Sequence, residues 1–262
     1  MYQILFMIDN LLGFSLSQKL FSFLHLVSLV GMNHGINNKL QQNGEIKTIQ
    51  YVFDKKKSKK DWIIFDVGAN VGAYTKLLLS QPEKKKIYAF EPNKSAFSSL
   101  RKNITDDQVK MFNMCLGDKK GTATLYFDKE SSELASLVKR RLDHFNIKSS
   151  LSEKVKVDTL DSFCTTNHID RIDFLKIDAE GYDLMILQGS KNMLNKNKIK
   201  FIQFEFGGAN IDTRTFFQDF YYLLKNNFNL YRVTRNGLYP LTKYSESLEV
   251  FIGANYLAEL KS

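Results

Sequence analysis

From Trp62 onward the chain alternates between two periods. Short β-rich runs at Trp62 to Val67, Ile87 to Phe90, Val109 to Met114, Phe174 to Ile177 and Phe201 to Phe206 are mostly followed by stretches with helical spacing. Strands separated by helices have to be joined by crossovers, so this pattern predicts an α/β fold, mostly parallel in its sheet and with helices on both faces. The first helix is expected over Val71 to Ser80, stopped by Pro82, and the second after Asn93. Tyr182 to Leu187 and Arg214 to Leu224 supply two more, the latter with Asp212 as its N-cap. Toward the carboxyl end, Leu230 to Thr234 and Leu238 to Pro240 flank the tight-turn pair Asn236-Gly237, and Leu248 to Ile252 follows. The sheet is therefore expected to finish with antiparallel strands.

With 262 residues, 44% of them hydrophobic, the chain can bury one large core. Residues 61–262 form the expected main domain, and residues 1–60 an N-terminal helical extension packing on it. Leu20, Phe23, Val27 and Val30 recur at helical spacing. The run from Leu20 to Val30 is broken by Ser22, His25 and Ser28 and is too short for a hydrocarbon layer of roughly 30 Å. A helix capping the main domain is the expectation, with peripheral contact to a membrane surface as the alternative and no transmembrane segment. Two cysteines, Cys115 and Cys164, lack metal-ligand spacing and predict buried reduced thiols in a cytoplasmic protein. Between Asp128 and Glu153 lies a polar, charged insertion flanked by the strand-like "TATLYF" and "KVKV", expected to be a mobile lid.

Lys plus Arg exceed Asp plus Glu by 37 to 28, a net charge of +9. The basic runs Lys55 to Lys60, Lys84 to Lys86 and Lys196, Lys198 and Lys200 all precede strands. Ligands of such sheets bind at the opposite, carboxyl ends. This placement argues against nucleic acid as the partner and for a solvated or docking edge.

The stretch "FDVGANVGAY" places Gly68 and Gly72 at a strand-to-helix turn, where backbone can approach a ligand closely. A dinucleotide fingerprint would have glycines where Asn70 and Ala73 stand. Asp66 is the larger obstacle, because a carboxylate about 4 Å from a pyrophosphate charge costs on the order of 4 kcal/mol at an effective dielectric near 20. A cationic ligand reverses the sign. S-adenosylmethionine carries an ammonium and a sulfonium, so Asp66 becomes a reason to bind, with backbone around Gly68, Ala69, Asn70 and Gly72 holding its amino-acid end. Glu91, ending the second strand, is placed to accept from ribose hydroxyls. Cys115 and Leu116 can flank the adenine, and Asp118 either accepts from its amino group or merely turns the chain before Gly121.

The residues "DVGANVG" (Asp66 to Gly72), "FEP" (Phe90 to Pro92), "CLGDKKG" (Cys115 to Gly121), "VDTLDSF" (Val157 to Phe163), "FLKIDAEGYDLMILQG" (Phe174 to Gly189) and "FIQFEF" (Phe201 to Phe206) occur in an order and spacing that resembles the FkbM-type methyltransferases. These belong to the class I S-adenosylmethionine-dependent superfamily. The resemblance covers about residues 62–210, and "GMNHG" and Asn43 to Glu45 resemble the family's lead-in less distinctly. It implies a seven-stranded Rossmann-like domain and methyl transfer to a hydroxyl of a sugar, polyketide or similar small molecule.

Asp178 and Glu180 follow the fourth strand and Glu205 the fifth, so the sheet order should bring them near the transferred methyl. Carboxylates in apolar strands are costly unless paired or used. Any of the three can serve as general base toward an alcohol. The alternative is that two of them hold a divalent ion; no metal ligand is assigned. Lys176 shares a strand face with Asp178 and is expected between Asp178 and Glu205 in an ion-pair cluster, or in the chemistry itself. Among the histidines, His25 is expected in the capping helix against the core and His168 at the wrong sheet edge, leaving His144 in the lid as the one able to reach substrate. Two rival functions remain, an NAD-dependent oxidoreductase and a non-catalytic binding protein that keeps the fold.

Overall fold

The computed structural model describes residues 14–35, 43–55 and 61–261. Most of the basic run at Lys55 to Lys60 lies outside these residues. Strands β1 (Trp62–Val67), β2 (Lys85–Phe90), β3 (Val109–Phe112), β7 (Ile172–Ile177) and β8 (Ile199–Phe206) run parallel, and β9 (Phe228–Thr234), β10 (Gly237–Leu241) and β11 (Ala254–Leu260) complete an eight-stranded sheet. Its order is β10-β9-β11-β8-β7-β1-β2-β3, and β11 runs antiparallel to both β8 and β9. The sheet is thus Rossmann-like, with one strand more than the seven expected. The extra strand is the far arm of the Asn236-Gly237 hairpin, which pairs only with β9.

A second sheet, β4-β6-β5, stands beside the first: β4 (Cys115–Leu116), β5 (Gly121–Phe127) and β6 (Leu151–Asp158). It ends the third parallel strand at Phe112 instead of Met114, because Cys115 and Leu116 pair with Val157 and Asp158.

The described helices are α1 (Ser15–Gly31), α2 (Glu45–Lys55), α3 (Ala73–Leu79), α4 (Lys94–Asn103), α5 (Leu160–Thr166), α6 (Asp183–Gln188), α7 (Lys191–Asn195), α8 (Ala209–Thr213) and α9 (Phe217–Leu224). Asn93 caps α4 by accepting from Ala96 N–H. The helix expected over Arg214 to Leu224 is broken at Arg214, whose φ of 57° is left-handed. Asp212 is therefore not the N-cap of α9. The N-cap is Phe216, and the first-turn N–H groups are taken by the distant Glu249, which accepts from Phe217 N–H at 2.7 Å and Gln218 N–H at 2.9 Å. That duty also explains why Leu248 to Ile252 is not a strand, since it is a capping loop and the strand begins after Gly253.

Strand alternation divides the core between two faces. Phe65, Leu175, Ile202 and Phe204 pack on one side with α9; Ile64, Phe174, Phe201 and Leu257 pack on the other beneath Ile49, Val52 and Phe53 of α2. Of the N-terminal region, α2 is the part that packs on the sheet. Helix α1 does not cap the domain: Leu29 near its end is buried, whereas Leu20, Phe23, Val27 and Val30 are exposed. His25 is exposed with them.

Phe204 is fully enclosed, its ring stacked 4.6 Å from Phe220 and 5.6 Å from Tyr256. Phe204→Ala should lower the unfolding free energy by about 3–5 kcal/mol, read as a shifted urea midpoint at unchanged slope.

Candidate active site

A cavity of about 690 Å³ opens at the carboxyl ends of the parallel strands, where such folds bind ligands. Its floor is the β1–α3 turn. Gly68 has φ 79°, and a Cβ there would stand 1.8 Å from the Asp178 carbonyl, so the β1 and β7 loops touch only because this residue has no side chain. Asn70, with φ 46°, donates its N–H to Glu91 Oε2 at 2.8 Å. Gly68, Ala69 and Asn70 line the cavity. Gly72 does not; at φ 93° it starts α3, and its missing Cβ leaves room for Leu100 and Ile104.

Asp66 is the chief departure from the sequence reading. It is completely buried and lies below the cavity, not in its wall. Thr75 Oγ1 donates to its Oδ2 at 2.6 Å, and Lys176 Nζ lies 3.6 Å from Oδ1. The reason is register. Asp66 pairs with Lys176 and Lys176 with Gln203, giving a polar row across β1, β7 and β8 on the face covered by α2 and α3. Lys176 lies between Asp66 and Asp178, 3.2 Å from the latter, rather than between Asp178 and Glu205. It also donates to the Gly68 carbonyl at 3.3 Å and lies over the Tyr74 ring. Although burial alone would lower its pKa, Asp178, Asp66 and Glu45 raise it above the ordinary lysine value.

The acid that does face the cavity beneath this turn is Glu45 at the start of α2. It accepts from Asn43 Nδ2 at 2.9 Å and Gln203 Nε2 at 3.3 Å. Burial raises its pKa, with Lys176 opposing. Sequence reasoning noticed "NGE" but gave it no role; its signal was an acid and an amide just ahead of an amphipathic stretch.

Glu91 lines the cavity, and its carboxylate oxygens also accept from Asn70 and Asn93 N–H, both at 2.8 Å. Burial pushes it up to about 7 against those bonds. Beyond it Pro92, Met114, Cys115, Leu116 and Leu125 form an apolar slot of the kind a flat ring fills. Asp118 is not in that wall, and its carboxylate accepts from the Tyr182 hydroxyl at 3.4 Å, steadying a ring that is. Asn70 Oδ1 is a buried acceptor without a hydrogen-bond partner among the described residues.

At the other end Asp178, Glu180 and Glu205 converge, each offering an oxygen within 4.8 Å of the others. Asp183, missed in the sequence, holds them: it accepts from Ala179 N–H and Glu205 N–H, both at 3.2 Å, and so ties the β7 loop to β8. Burial and then the charge of Asp178 raise Glu180 to about 8 and Asp183 to about 7, and they push Glu205 well above its usual range. Arg140 pairs with Glu180 and partly offsets its shift. Asn210, 2% exposed, accepts from Gly207 N–H through Oδ1, while its Nδ2 has no partner among the described residues.

The 128–153 insertion roofs the cavity. Ser132 O accepts from Asn70 at 3.5 Å, Ser136 Oγ donates to Glu180 O at 2.8 Å, and Leu134, Leu137 and Phe145 line the interior. His144 beside Phe145 is exposed and does not line the cavity, and His168 lies in the turn before β7.

Residues 66–232 match the family model described as the methyltransferase FkbM domain. The chain belongs to the FkbM methyltransferase family. It is 22% identical over 156 residues to the 2-O-methyltransferase NoeI of Sinorhizobium fredii, covering 56% of this chain and 64% of that protein. It is also 22% identical over 164 residues to the hexuronic acid methyltransferase AglP of Haloferax volcanii, covering 63% and 64%. It thus spans a little under two thirds of each of these FkbM relatives. Among solved structures, a TehB-like methyltransferase from Corynebacterium glutamicum aligns with a TM-score of 0.44 at 10% identity, over 94% of this chain and 99% of that one.

The raised carboxylates in this FkbM domain have a sign-defined consequence. Glu180, ordinarily near 4.5, keeps its proton to about 8 when folded, so between those values the folded chain binds more protons than the unfolded one. Stability is full below the window and falls as pH rises through it. The melting temperature of ligand-free protein should therefore drop between pH 5 and 8, about 2–4 °C per kcal/mol lost, and Glu180→Gln should flatten the drop in a fluorimetric melting series.

Proposed function

We propose that this FkbM-family protein is an S-adenosylmethionine-dependent O-methyltransferase acting on a hydroxyl of a carbohydrate or similar small-molecule acceptor. The observation that carries this reading is the convergence of Asp178, Glu180 and Glu205 in the same cavity as the Gly68–Asn70 turn and Glu91. The names of the two curated relatives support a sugar hydroxyl as the target.

When bound, the cofactor supplies an electrophilic methyl on a sulfonium. Glu91 and the apolar slot are suited to its nucleoside. Glu45 suits its ammonium, and the acids around Asp178 suit its positive sulfur. Among the described residues, Lys176 and Arg140 are the cations beside these carboxylates, and burial with the mutual charge of the acids drives Glu180, Asp183 and Glu205 toward their protonated forms. A cationic guest relieves that repulsion, whereas the pyrophosphate of a nicotinamide cofactor would add to it.

Removing the acceptor proton falls to Asp178. Lys176 holds it at 3.2 Å, and at 40% exposure it is more open to an acceptor than Glu180 at 19%. General-base catalysis is worth about 10²–10⁴-fold. Asn210 offers its free amide to the acceptor, and Lys176 acts through Asp178 and the Gly68 carbonyl. The two cysteines, buried and unbridged, support a cytoplasmic setting for the same proposal.

Asp178→Asn should cut kcat by about 10²–10⁴-fold with little effect on S-adenosylhomocysteine affinity by calorimetry. If Asp178→Asn, Glu180→Gln and Glu205→Gln all keep wild-type kcat, the base assignment is wrong. Glu91→Ala should weaken S-adenosylhomocysteine about 10–100-fold, the scale of losing charge-assisted hydrogen bonds. The compact acid triad also favours a second reading, a divalent ion acidifying the hydroxyl. Loss of turnover on chelation, restored by magnesium, would select it; turnover indifferent to chelator would dismiss it.

A further inference from the structure

The apolar surface of α1 is left without a use by the catalytic reading. Leu20, Phe23, Leu24, Leu26, Val27 and Val30 are between 46% and 61% exposed, on a helix whose one charged residue is Lys19. At about 100° per residue they sweep roughly 160° of the circumference. Gln18, Ser22 and His25 make a narrow polar stripe opposite. The stripe points along the same side as Leu29, the residue buried against the body.

The helix is fastened at its carboxyl end. Asn33 donates to the carbonyls of Asn43 and Val233 at 3.0 and 3.2 Å, His34 bonds to Ile252 O at 3.1 Å, and Gly35 N–H donates to Gly253 O at 2.8 Å. Gly35, Ile252 and Gly253 also line the catalytic cavity. The apolar shaft is thus rooted at the cavity's rim.

That rim carries the same chemistry. Phe145 is 63% exposed and Ile252 38%, while Phe216, 49% exposed, lies edge-on to Phe251 of the cavity wall. Exposed Lys139, Arg141 and Lys148 flank Phe145 in the chain, and Arg214 lies between Ile211 and Phe216. Asp143, Asp212, Asp219 and Glu249 are the acids interspersed there; Asp212 accepts from Arg141 N–H, Asp219 from Phe216 N–H and Glu249 from Phe217 N–H. Large exposed apolar side chains interspersed with exposed Lys139, Arg141, Lys148 and Arg214 match the boundary between acyl chains and anionic head groups. A paired helix would need only a narrow seam. The α1 arc is broader, and no helix of the described residues is long and apolar enough to cross a bilayer.

We infer that α1 and the cavity rim form one docking surface for an anionic lipid bilayer, with α1 lying in the interface and the cavity mouth facing the membrane. The surface takes up acyl-chain contact through Phe23, Val27 and Phe145 and head-group charge through Lys139, Arg141 and Lys148. This inference stands on surface chemistry and is independent of the methyl-transfer reading.

The test is flotation of the full chain with vesicles of phosphatidylcholine alone or with one third phosphatidylglycerol. Binding is expected to the anionic vesicles, weakening with salt. It should be lost in a Leu20→Ser, Phe23→Ser, Val27→Ser variant and reduced about fivefold for each of Arg141→Gln and Lys148→Gln. Circular dichroism melting of the triple variant should match wild type, since those side chains are exposed. Absence of vesicle binding overturns the inference. So does a lipid-free dimer in light scattering that the same triple variant dissociates, which would make a second copy the occupant.

Discussion

The ammonium of Lys176 is the interaction on which the site depends. It is almost wholly buried, between Asp66 below and Asp178 above, with the Gly68 carbonyl and the Tyr74 ring as further contacts. Removing one partner of such a pair costs about 3–5 kcal/mol, because a charge is left in a medium that cannot solvate it. Lys176 therefore fixes three things together: the end of β1, the turn that lines the cavity, and the carboxylate proposed as base. Asp66 is consumed in that work. Its negative charge is neutralised internally by Lys176 and Thr75, and the negative face offered to a ligand is supplied by Glu45 and Asp178.

The same accounting explains the crowded acids at the strand ends. Arg140 and Lys176 each pair with one or two carboxylates, and burial with the charge of Asp178 pushes Glu180, Asp183 and Glu205 up toward their protonated forms. A fold tolerates this because Asp183 is hydrogen-bonded to two backbone N–H groups, so its position is useful whatever its charge. Like charges within 4.8 Å of one another oppose ionisation, which adds to burial in pushing Glu180 and Glu205 up. The proposed base and the proposed affinity for a cation thus rest on one feature, a cluster that among the described residues holds more acids than cations.

Much of this was legible in the sequence because strand alternation and helix caps are local. The five parallel strands, Asn93 as a cap, and the grouping of Asp178, Glu180 and Glu205 all follow from residues close in the chain and from sheet order. Asp66 was misread because its face is set by period two, but what covers that face is α2, a distant segment. The same distance hid Glu45. Asn210 gave no pattern, since the bond of its Oδ1 to Gly207 N–H, with Nδ2 unpartnered among the described residues, is one that only coordinates reveal. The strand expected at Leu248 to Ile252 was lost to a non-local demand, the capping of α9 by Glu249, and α1 was given a core to cover that α2 already covers.

The roof adds one further constraint on how an acceptor reaches Asp178. The insertion is joined to the β1 turn through Ser132 and Asn70, and to the β7 loop through Ser136, Arg140 and Glu180, so the cavity is closed over its cofactor end. Of the residues lining it, Phe145 and Ile252 are also exposed, and Ile252 bonds to the root of α1 through His34. A docked orientation would therefore present the open mouth to whatever hydroxyls project from the head-group layer. It would convert a three-dimensional search into a surface one and add to the effective concentration at the base without any new contact to the acceptor. Proximity of this kind acts before chemistry, so it raises the encounter rate while leaving proton removal to the carboxylate proposed as base.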